Sequence, residues 1–224
     1  SFEMAKWSGA EQVVVHDIFS GVSISHHESK DPVIQARREI DGTNNLANEL
    51  QYMYDWFNSR KQFNFVSVMS NHPLWLDRWI STNDWRKSPN RALYLQLASL
   101  AVSGEAKKGI VPYLLDQYCS NVKSLGYNDS YRVMGIELGL HYDIGANGSR
   151  GSITQFKNLN TKSIGGHGHT PQREDGAIMV GTLTKLRLGY NKGLSGWMHS
   201  NALIYPNGKA SHINIIKGKY TTLI

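Results

Sequence analysis

The chain has 224 residues, with 24 Lys and Arg against 18 Asp and Glu, which gives a formal net charge of +6. A chain of this length buries a core without disulfide or metal support, and its single cysteine, Cys119, excludes an internal disulfide. The composition excludes disordered, collagen-like and coiled-coil proteins, and no apolar run approaches the ~18 residues of a membrane span. We therefore expect one α/β domain over residues 1–224, in the reducing cytoplasm and without a membrane partner. The positive charge permits an anionic partner but does not identify one.

The first part of the sequence alternates predicted strands and helices. Short β-branched and aromatic runs predict buried strands, and apolar residues at helical spacing predict helices between them. The predicted strands are 12–15, 63–69 and 132–140, and the predicted helices cover 33–58 and 91–118. The first helical stretch is expected to break at 41–43, with Thr43 or Asn44 as the cap of the next helix. The second is expected to be interrupted at Gly104.

The remainder of the sequence predicts mainly strands separated by Gly, Asn and Pro turns. Candidate strands are 163–165, 177–180, 182–188, 202–205 and 212–216. Asn207-Gly208, between the last two, is the best hairpin signal in the chain. The sequence thus predicts one domain with two sheet systems.

Polar side chains follow the predicted strands. The groups are His16-Asp17, Asn71-His72, His141-Tyr142-Asp143 and His167-Gly168-His169. Because the carboxyl ends of strands in an open α/β sheet meet at one edge, where ligands bind, these groups predict a shared site. Carboxylate, amide and imidazole ligands suit Mn, Fe or Zn better than Ca or Mg alone. The alternative is that a strand-end Asp serves as a turn former or helix cap, and His26, His27 and His212 are expected to be loop or strand-face residues.

In this order the groups resemble the motifs of the calcineurin-like metallophosphoesterase family. The family pattern runs Asp-x-His, Gly-Asp-x-x-Asp, Gly-Asn-His-Asp/Glu, a lone His and Gly-His-x-His. The last four elements are matched, in order, by 16–20, 70–73, His141 and 166–169. The resemblance implies a four-layer α/β/β/α sandwich. Residues 181–197 and 205–208 are also similar to the tail of phage-encoded, DNase-like members.

The resemblance implies a centre of two divalent metal ions. Asp17 would bridge the ions, Asn71, His141 and His167 would bind one, and His169 would bind the other. Two such cations clamp a phosphate and activate a water for in-line attack. We expect Mn²⁺, with Fe, Zn and Mg as alternatives.

The resemblance also implies that His72 is a catalytic residue rather than a ligand. It would protonate the leaving oxygen or stabilise its charge. An imidazole with an unperturbed pKa of about 6.5 suits proton transfer near neutral pH.

Four positions depart from the family pattern. His16 and Ser70 replace glycines, Ser20 replaces the second Asp, and Pro73 replaces the acid after the catalytic His. None of these changes removes an assigned ligand. They do leave open which group orients the ligand histidines, since such histidines normally donate to a carboxylate or carbonyl. Asp143 and Glu137 are the candidate acceptors.

The first family element is missing, because no Asp-x-His precedes Asp17. We expect the chain to be the C-terminal portion of a longer polypeptide, whose upstream βα segment supplies an Asp and a His to the site. The alternative is a degenerate site in a protein that only binds its partner.

Basic and aromatic residues indicate the substrate. Trp75, Trp79 and Trp85 alternate with basic residues, namely Arg78, Arg86, Lys87 and Arg91. Further positive charge is expected near the predicted ligand-binding edge from Arg150, Lys185, Arg187 and Lys192. Cations with aromatic rings predict a nucleic-acid groove, although Trp75 and Trp79, four residues apart, also fit a buried helix face. Phosphodiester hydrolysis of DNA is therefore expected. The alternative substrates are another nucleic acid and a phosphomonoester. The alternative function is a noncatalytic module that binds DNA or protein. The sequence does not decide whether the chain forms a homo-oligomer.

Overall fold

The computed structural model describes residues 2–25, 28, 31–145, 147–188, 191 and 193–220, apart from the side chain of Lys87. The fold is mixed α/β and divides into two compact units. Residues 12–127 form one, called here the parallel-sheet unit. The residues up to Glu11 and from Asn128 onward form the other, the mixed-sheet unit. Within the described ranges, no helix combines the length and apolar character needed to cross a membrane.

The parallel-sheet unit is built on three strands in the order β1-β2-β3. These are β1 (Gln12–His16), β2 (Asn64–Val68) and β3 (Val122–Ser124). Gln12 pairs with Asn64 and His16 pairs with Val68, so β1 and β2 begin and end level. Val66 and Val68 are almost fully buried, as expected for a central strand with both faces covered.

The described residues of this unit include five longer helices. They are α2 (Pro32–Ile40), α3 (Leu46–Asn58), α4 (Asn71–Thr82), α5 (Arg91–Ser103) and α6 (Ile110–Tyr118), with 3₁₀ turns at Val22–Ile24 and Trp85–Lys87. The expected break at 41–43 and the interruption at Gly104 are both confirmed. The predicted cap at Thr43 or Asn44 is wrong by one or two residues. Asn45 is the N-cap, because its side chain accepts a hydrogen bond from the backbone N–H of Asn48 at 3.1 Å.

The predicted third strand, 132–140, is wrong as a member of the parallel sheet. Met134 and Gly135 both have positive φ, 50° and 76°, and turn the chain back on itself. The segment therefore forms two short antiparallel strands, β4 (Arg132–Val133) and β5 (Ile136–Glu137), in the mixed-sheet unit. The third parallel strand is β3, which is too short and too polar to give a clear pattern.

The mixed-sheet unit contains a five-stranded sheet in the order β4-β5-β6-β8-β7. Its other strands are β6 (Ser163–Gly165), β7 (Gln172–Glu174) and β8 (Ala177–Met179), and its helices are α1 (Phe2–Ser8) and α7 (Ile153–Lys157). The central pairs β5–β6 and β6–β8 are parallel, while β4 and β7 add antiparallel edges. A buried cluster lies beside this sheet, made of Tyr142, Ile153, Phe156, Ala177 and Met179.

A separate hairpin joins β9 (Ser200–Ile204) to β10 (Ala210–Asn214). The turn at Asn207-Gly208 is as predicted, with Gly208 at φ 75° and its N–H donating to the carbonyl of Tyr205 at 2.9 Å. The predicted strand at 182–188 is wrong. Of its described residues, only Thr182 makes a bridge, to His199, and Leu183 is exposed. The four-layer sandwich and the single domain stay predictions.

Candidate metal centre

The parallel-sheet unit places three predicted site residues at one edge of its sheet. Asp17 directly follows β1, and Asn71 and His72 begin α4 three and four residues after β2 ends. Because β1 and β2 are parallel and end level, both connections leave the same edge. This is the edge at which open α/β sheets bind ligands.

His72 is held on two sides. Its Nδ1 lies 2.9 Å from the carbonyl oxygen of Ser20. Since a carbonyl can only accept a hydrogen bond, Nδ1 carries the hydrogen in this contact. The imidazole also stacks on the indole of Trp75, with ring centroids 4.1 Å apart and an interplanar angle of 19°. The ring orientation and the tautomer are therefore both set by neighbours within the same unit.

Glu49 of α3 anchors the loop that follows β1. Its Oε1 accepts from the hydroxyl of Ser20 at 2.7 Å and from the N–H of Val22 at 2.9 Å. Its Oε2 accepts from the N–H of Ser23 at 3.0 Å and from the Ser23 hydroxyl. Sequence reasoning missed Glu49, because its partners lie 26 to 29 residues away and no local motif marks it.

Gly21 allows this loop to approach α4. It has φ 63°, and a Cβ there would lie 3.1 Å from the ring of Phe19 and 3.3 Å from that of Trp75. A glycine meets both demands, since it adopts left-handed backbone and has no Cβ. The loop and the His72–Trp75 stack are therefore closely packed.

Two of the departures from the family pattern are accommodated at the start of α4. Ser70 is the buried N-cap residue, and its hydroxyl makes no hydrogen bond among the described residues. Pro73 is the third helical residue, in the first turn, where backbone N–H groups have no intrahelical partner. Proline therefore costs the helix no internal hydrogen bond at this position.

The mixed-sheet unit brings two predicted ligands together. His141 follows β5 by four residues and His167 follows β6 by two, and the two strands are parallel. Their imidazole centroids lie 5.2 Å apart at an interplanar angle of 80°. The N–H of Gly166 donates to the carbonyl of His141 at 3.2 Å. His141 is 3% exposed, so this pair is formed largely inside the unit.

The chain around His167 is so closely packed that two of its glycines have no room for a Cβ. A Cβ at Gly165 would lie 2.5 Å from the ring of Tyr142, and one at Gly168 would lie 2.2 Å from Sδ of Met179. The N–H of Gly168 donates to the carbonyl of Gly166 at 2.8 Å, which closes a tight turn around His167. Packing therefore requires glycine at both positions, 165 and 168.

His169 lies beside Trp197. Their ring centroids are 4.2 Å apart and nearly perpendicular, at 88°. The N–H of Met198 donates to the carbonyl of His169 at 3.2 Å. The segment around Trp197 therefore fixes the backbone and one side of the ring of the fifth predicted ligand.

Tyr142, which follows His141 in the chain, is held both at its ring and at its hydroxyl group. Its ring stacks on Phe156 at 3.7 Å, and its hydroxyl lies 2.5 Å from Oγ of Ser163. Burial raises the pKa of the Tyr142 phenol to about 12, although the hydrogen bond to Ser163 acts in the opposite direction. The side chain is therefore a neutral, buried hydrogen-bonding group at physiological pH.

Glu137 does not orient a ligand histidine in this structure, which corrects one sequence-based suggestion. Its carboxylate accepts from the N–H groups of Tyr131 and Gly139 at 2.9 and 2.8 Å, from Nε of Arg132 at 3.2 Å, and from the Ser130 hydroxyl. Burial acts to raise the pKa of Glu137, but these hydrogen bonds together lower it. Glu137 therefore anchors the residues around β4 and β5.

The remaining histidines agree with the sequence-based expectation where they are described. His212 lies on β10, and its Nε2 is 2.8 Å from the carbonyl of Met179. Burial lowers its pKa. His26 and His27 lie outside the described residues.

The predicted substrate-binding cations divide between the units. Arg78 and Arg86 are exposed in the parallel-sheet unit, and Arg150 and Lys185 are exposed in the mixed-sheet unit. Arg86 lies over the ring of Trp85 at 5.3 Å and 3.4 Å from the carboxylate of Asp84. Lys192 lies outside the described residues.

The aromatic residues of α4 make intramolecular ring contacts. Trp79 packs edge-on against Tyr94 at 5.0 Å, while Trp75 stacks on His72. Both side chains are half-buried. Trp79 therefore packs against a neighbouring helix, as in the alternative of a buried helix face, whereas Trp75 contacts His72.

Left-handed backbone is concentrated at the predicted ligands. Among the described non-glycine residues, seven have positive φ, and three of these are Asp17, His167 and His169, at 53°, 65° and 56°. Such a conformation costs free energy on the order of 1–3 kcal/mol and persists where the surrounding structure enforces it. Strained residues of this kind cluster at active sites and ligand-binding sites.

One curated protein gives a comparison over most of the chain. Protein A1 of Escherichia phage T5 is 30% identical over 218 residues, which cover 92% of this chain and 39% of that protein. The chain thus spans about two fifths of the length of this relative. No family model matches the sequence. No solved structure matches the chain. The sequence is therefore similar to a phage protein.

Proposed function

We propose that this chain hydrolyses phosphodiesters with divalent metal ions. Asp17 and Asn71 of the parallel-sheet unit, and His141, His167 and His169 of the mixed-sheet unit, would hold the ions. The observation that carries the proposal is the left-handed backbone at three of these five residues. Strain at residues with metal-binding side chains is a reason to expect a functional site there.

The donor set fits divalent cations. A carboxylate, an amide oxygen and three imidazoles combine hard oxygen with borderline nitrogen donors, which suits Mn, Fe or Zn. When bound, two such ions would offset the charge of the phosphate and lower the pKa of a water. We expect Mn²⁺, with Fe, Zn and Mg as alternatives.

His72 would act on the leaving group. With Nδ1–H donating to the carbonyl of Ser20, Nε2 is the nitrogen left to exchange a proton. A proton passing from Nε2 to the leaving oxygen leaves a neutral imidazole and an alcohol product. The stack on Trp75 supports this role, since proton transfer requires a fixed geometry.

DNA is the proposed substrate, and the exposed cationic side chains are consistent with the binding of a polyanion. Arg78, Arg86, Arg150 and Lys185 are all exposed, and the net charge of the chain is +6. Phosphate contacts by such residues carry affinity without base specificity. The stacked Trp85–Arg86 pair is a further surface on which an unpaired base could stack.

Metal-dependent hydrolysis of bis-p-nitrophenyl phosphate and of plasmid DNA tests the proposal. We expect activity with Mn²⁺, and a fall in kcat/KM of at least about 100-fold in Asp17→Asn and in His167→Ala, since metal charge is worth several kcal/mol. His72→Ala should lower kcat while Mn²⁺ binding, measured by calorimetry, is retained. His199→Gln is the matched control, because His199 bonds the carbonyl of Thr184 and is not a proposed ligand.

The alternatives give different results in the same assays. Faster turnover of p-nitrophenyl phosphate than of the diester would indicate a phosphomonoesterase. DNA binding without cleavage, together with no measurable Mn²⁺ binding, would indicate a noncatalytic module and overturn the proposal.

A further inference from the structure

The loop that contacts His72 is held by a carboxylate with no assigned role. Glu49, on α3, uses both of its oxygens on residues 20–23. We infer that Glu49 is a positioning residue for His72 and acts through this loop. The inference rests on the proposed function only for its effect on catalysis, because the contacts themselves lie within one unit.

Ser20 connects the two groups. Its hydroxyl donates to Oε1 of Glu49 at 2.7 Å, while its carbonyl oxygen lies 2.9 Å from Nδ1 of His72. One residue therefore contacts the carboxylate through its side chain and the imidazole through its backbone. A movement of Ser20 away from Glu49 also moves the acceptor of His72.

Close packing at Gly21 restricts the position of this loop. A Cβ added at Gly21, between Ser20 and Val22, would lie 3.1 Å from the ring of Phe19 and 3.3 Å from that of Trp75. Trp75 in turn stacks on His72. The imidazole therefore contacts the carbonyl of Ser20 in the loop and the ring of Trp75, which packs beside Gly21 of the loop.

The four hydrogen bonds to Glu49 need a carboxylate. All four partners donate, two from backbone N–H groups and two from hydroxyls, and an ionised carboxylate accepts on both oxygens. An amide of the same shape offers one accepting oxygen and one donating NH₂ group. Glu49→Gln therefore removes half of the contacts while it preserves the volume of the side chain.

In the proposed reaction, the position of Ser20 decides where the proton of His72 is delivered. Misplacement of a catalytic group by about 1 Å costs on the order of 100-fold in rate. Both oxygens of Glu49 are used on residues 20–23, so a positioning role predicts a loss in kcat rather than in affinity. A purely structural role of Glu49 predicts a loss of folded protein with unchanged kinetics of the remainder.

The kinetic test compares Glu49→Gln, Glu49→Asp and Glu49→Ala in the complete chain. We expect kcat for bis-p-nitrophenyl phosphate with Mn²⁺ to fall about 10- to 100-fold in Glu49→Gln, with KM changed less than about 2-fold. Glu49→Asp, which keeps both oxygens, should recover part of this loss. Glu39→Gln is the control, since Glu39 is an exposed carboxylate on α2.

A double mutant separates action through His72 from a general effect. In a His72→Ala background, Glu49→Gln should change kcat by less than about 2-fold, because the two residues act as one unit. Losses that multiply in the double mutant would overturn the inference, as would a normal kcat in a folded Glu49→Ala variant.

A spectroscopic measurement needs no activity. Ring ¹⁵N NMR of the neutral imidazole should show His72 as the Nδ1–H tautomer in the wild-type chain and a tautomer mixture in Glu49→Gln. If the wild-type chain shows this tautomer and Glu49→Gln shows the mixture, but no hydrolysis occurs, the proposed function fails and the positioning by Glu49 stands. If hydrolysis occurs and the tautomer is unchanged in Glu49→Gln, the positioning role fails and the proposed function stands.

Discussion

The two units of this protein place their candidate ligands by different structural means. In the parallel-sheet unit, Asp17, Asn71 and His72 follow the ends of regular, level strands, and two of them begin a helix. In the mixed-sheet unit, the strands of the five-stranded sheet are two or three residues long, and His167 and His169 lie on a left-handed loop. Regular hydrogen bonding locates the first set, whereas close packing around glycines locates the second.

This difference has a mechanical consequence. A residue at a strand end inherits its position from the backbone pairing of the whole strand. A histidine on irregular backbone depends on a few specific contacts, such as the ring of Tyr142 against Gly165. Single substitutions beside the loop should therefore be more damaging in the mixed-sheet unit than comparable substitutions in the parallel-sheet unit.

The largest effect is expected when a methyl group is added at the glycine beside Tyr142. In Gly165→Ala, the new Cβ would lie 2.5 Å from the ring of Tyr142 and 2.8 Å from the carbonyl of Leu140. We expect destabilisation near the upper end of the roughly 1–3 kcal/mol typical of overpacking. In Gly21→Ala of the other unit, the contacts are 3.1 Å or longer, and the main cost is about 1–2 kcal/mol for left-handed backbone. Urea unfolding of both variants measures the difference, and equal losses would contradict the comparison.

The next effect concerns the buried carboxylate of the mixed-sheet unit. Glu137→Gln replaces an acceptor of four hydrogen bonds and should cost about 1–3 kcal/mol. Because the pKa of Glu137 is lowered in the folded state, its contribution is present above the unfolded value of about 4.3 and is lost as pH falls through the folded value. The variant should lose this part of the pH dependence of unfolding.

Glu174→Gln serves as the control for this experiment. Glu174 is partly exposed and pairs with Lys157 at 3.1 Å, so its loss should cost less than about 1 kcal/mol. A variant of Glu137 that is no less stable than this control would show that the four hydrogen bonds contribute little.

A smaller effect is expected from the phenol that supports the histidine loop. Tyr142→Phe keeps the stack on Phe156 but removes the hydrogen bond to Ser163, at a cost of about 0.5–1.5 kcal/mol. Ser163→Ala in the Tyr142→Phe background should cost less than it does in the wild type, because the hydroxyl is then already unpaired. Additive losses in the urea midpoint would disagree with a shared bond.

The smallest effect on stability is expected at the exposed cations. Arg78→Ala and Arg150→Ala, one in each unit, should change the free energy of unfolding by less than about 0.5 kcal/mol. If each contacts a DNA phosphate, each substitution should reduce the slope of log affinity against log salt by about 1. Filter binding over a salt series measures this slope. An unchanged slope in one variant would show that the substituted arginine does not contact a DNA phosphate.

Periodicity predicted much of the fold. The strands predicted at 12–15 and 63–69 are confirmed as β1 and β2, and the break between α2 and α3 and the Asn-Gly hairpin are confirmed as well. The third parallel strand was missed, because three residues with a polar centre carry no usable pattern. The strand predicted at 182–188 contains three leucines but gains no partner strand among the described residues.

The candidate site was predictable to a more limited extent. Its residue types and their order could be predicted from the sequence, because the ends of strands and the Gly-His-Gly-His motif are recognisable from a few consecutive residues. The partners of those residues could not. Glu49 reaches Ser20 from 29 residues away, and Tyr142 meets Gly165 across the sheet. Such contacts leave no signal in either segment alone.

The sequence by itself therefore determined the alternation of elements, the polar residues that end them and the positive net charge, since each follows from local propensity or composition. Only the tertiary structure decided which strand completes the parallel sheet, that Glu137 anchors a turn, and that Ser20 links Glu49 to His72. The physical reason is that hydrogen bonds and ring contacts join residues far apart in the chain, whereas sequence patterns report on near neighbours.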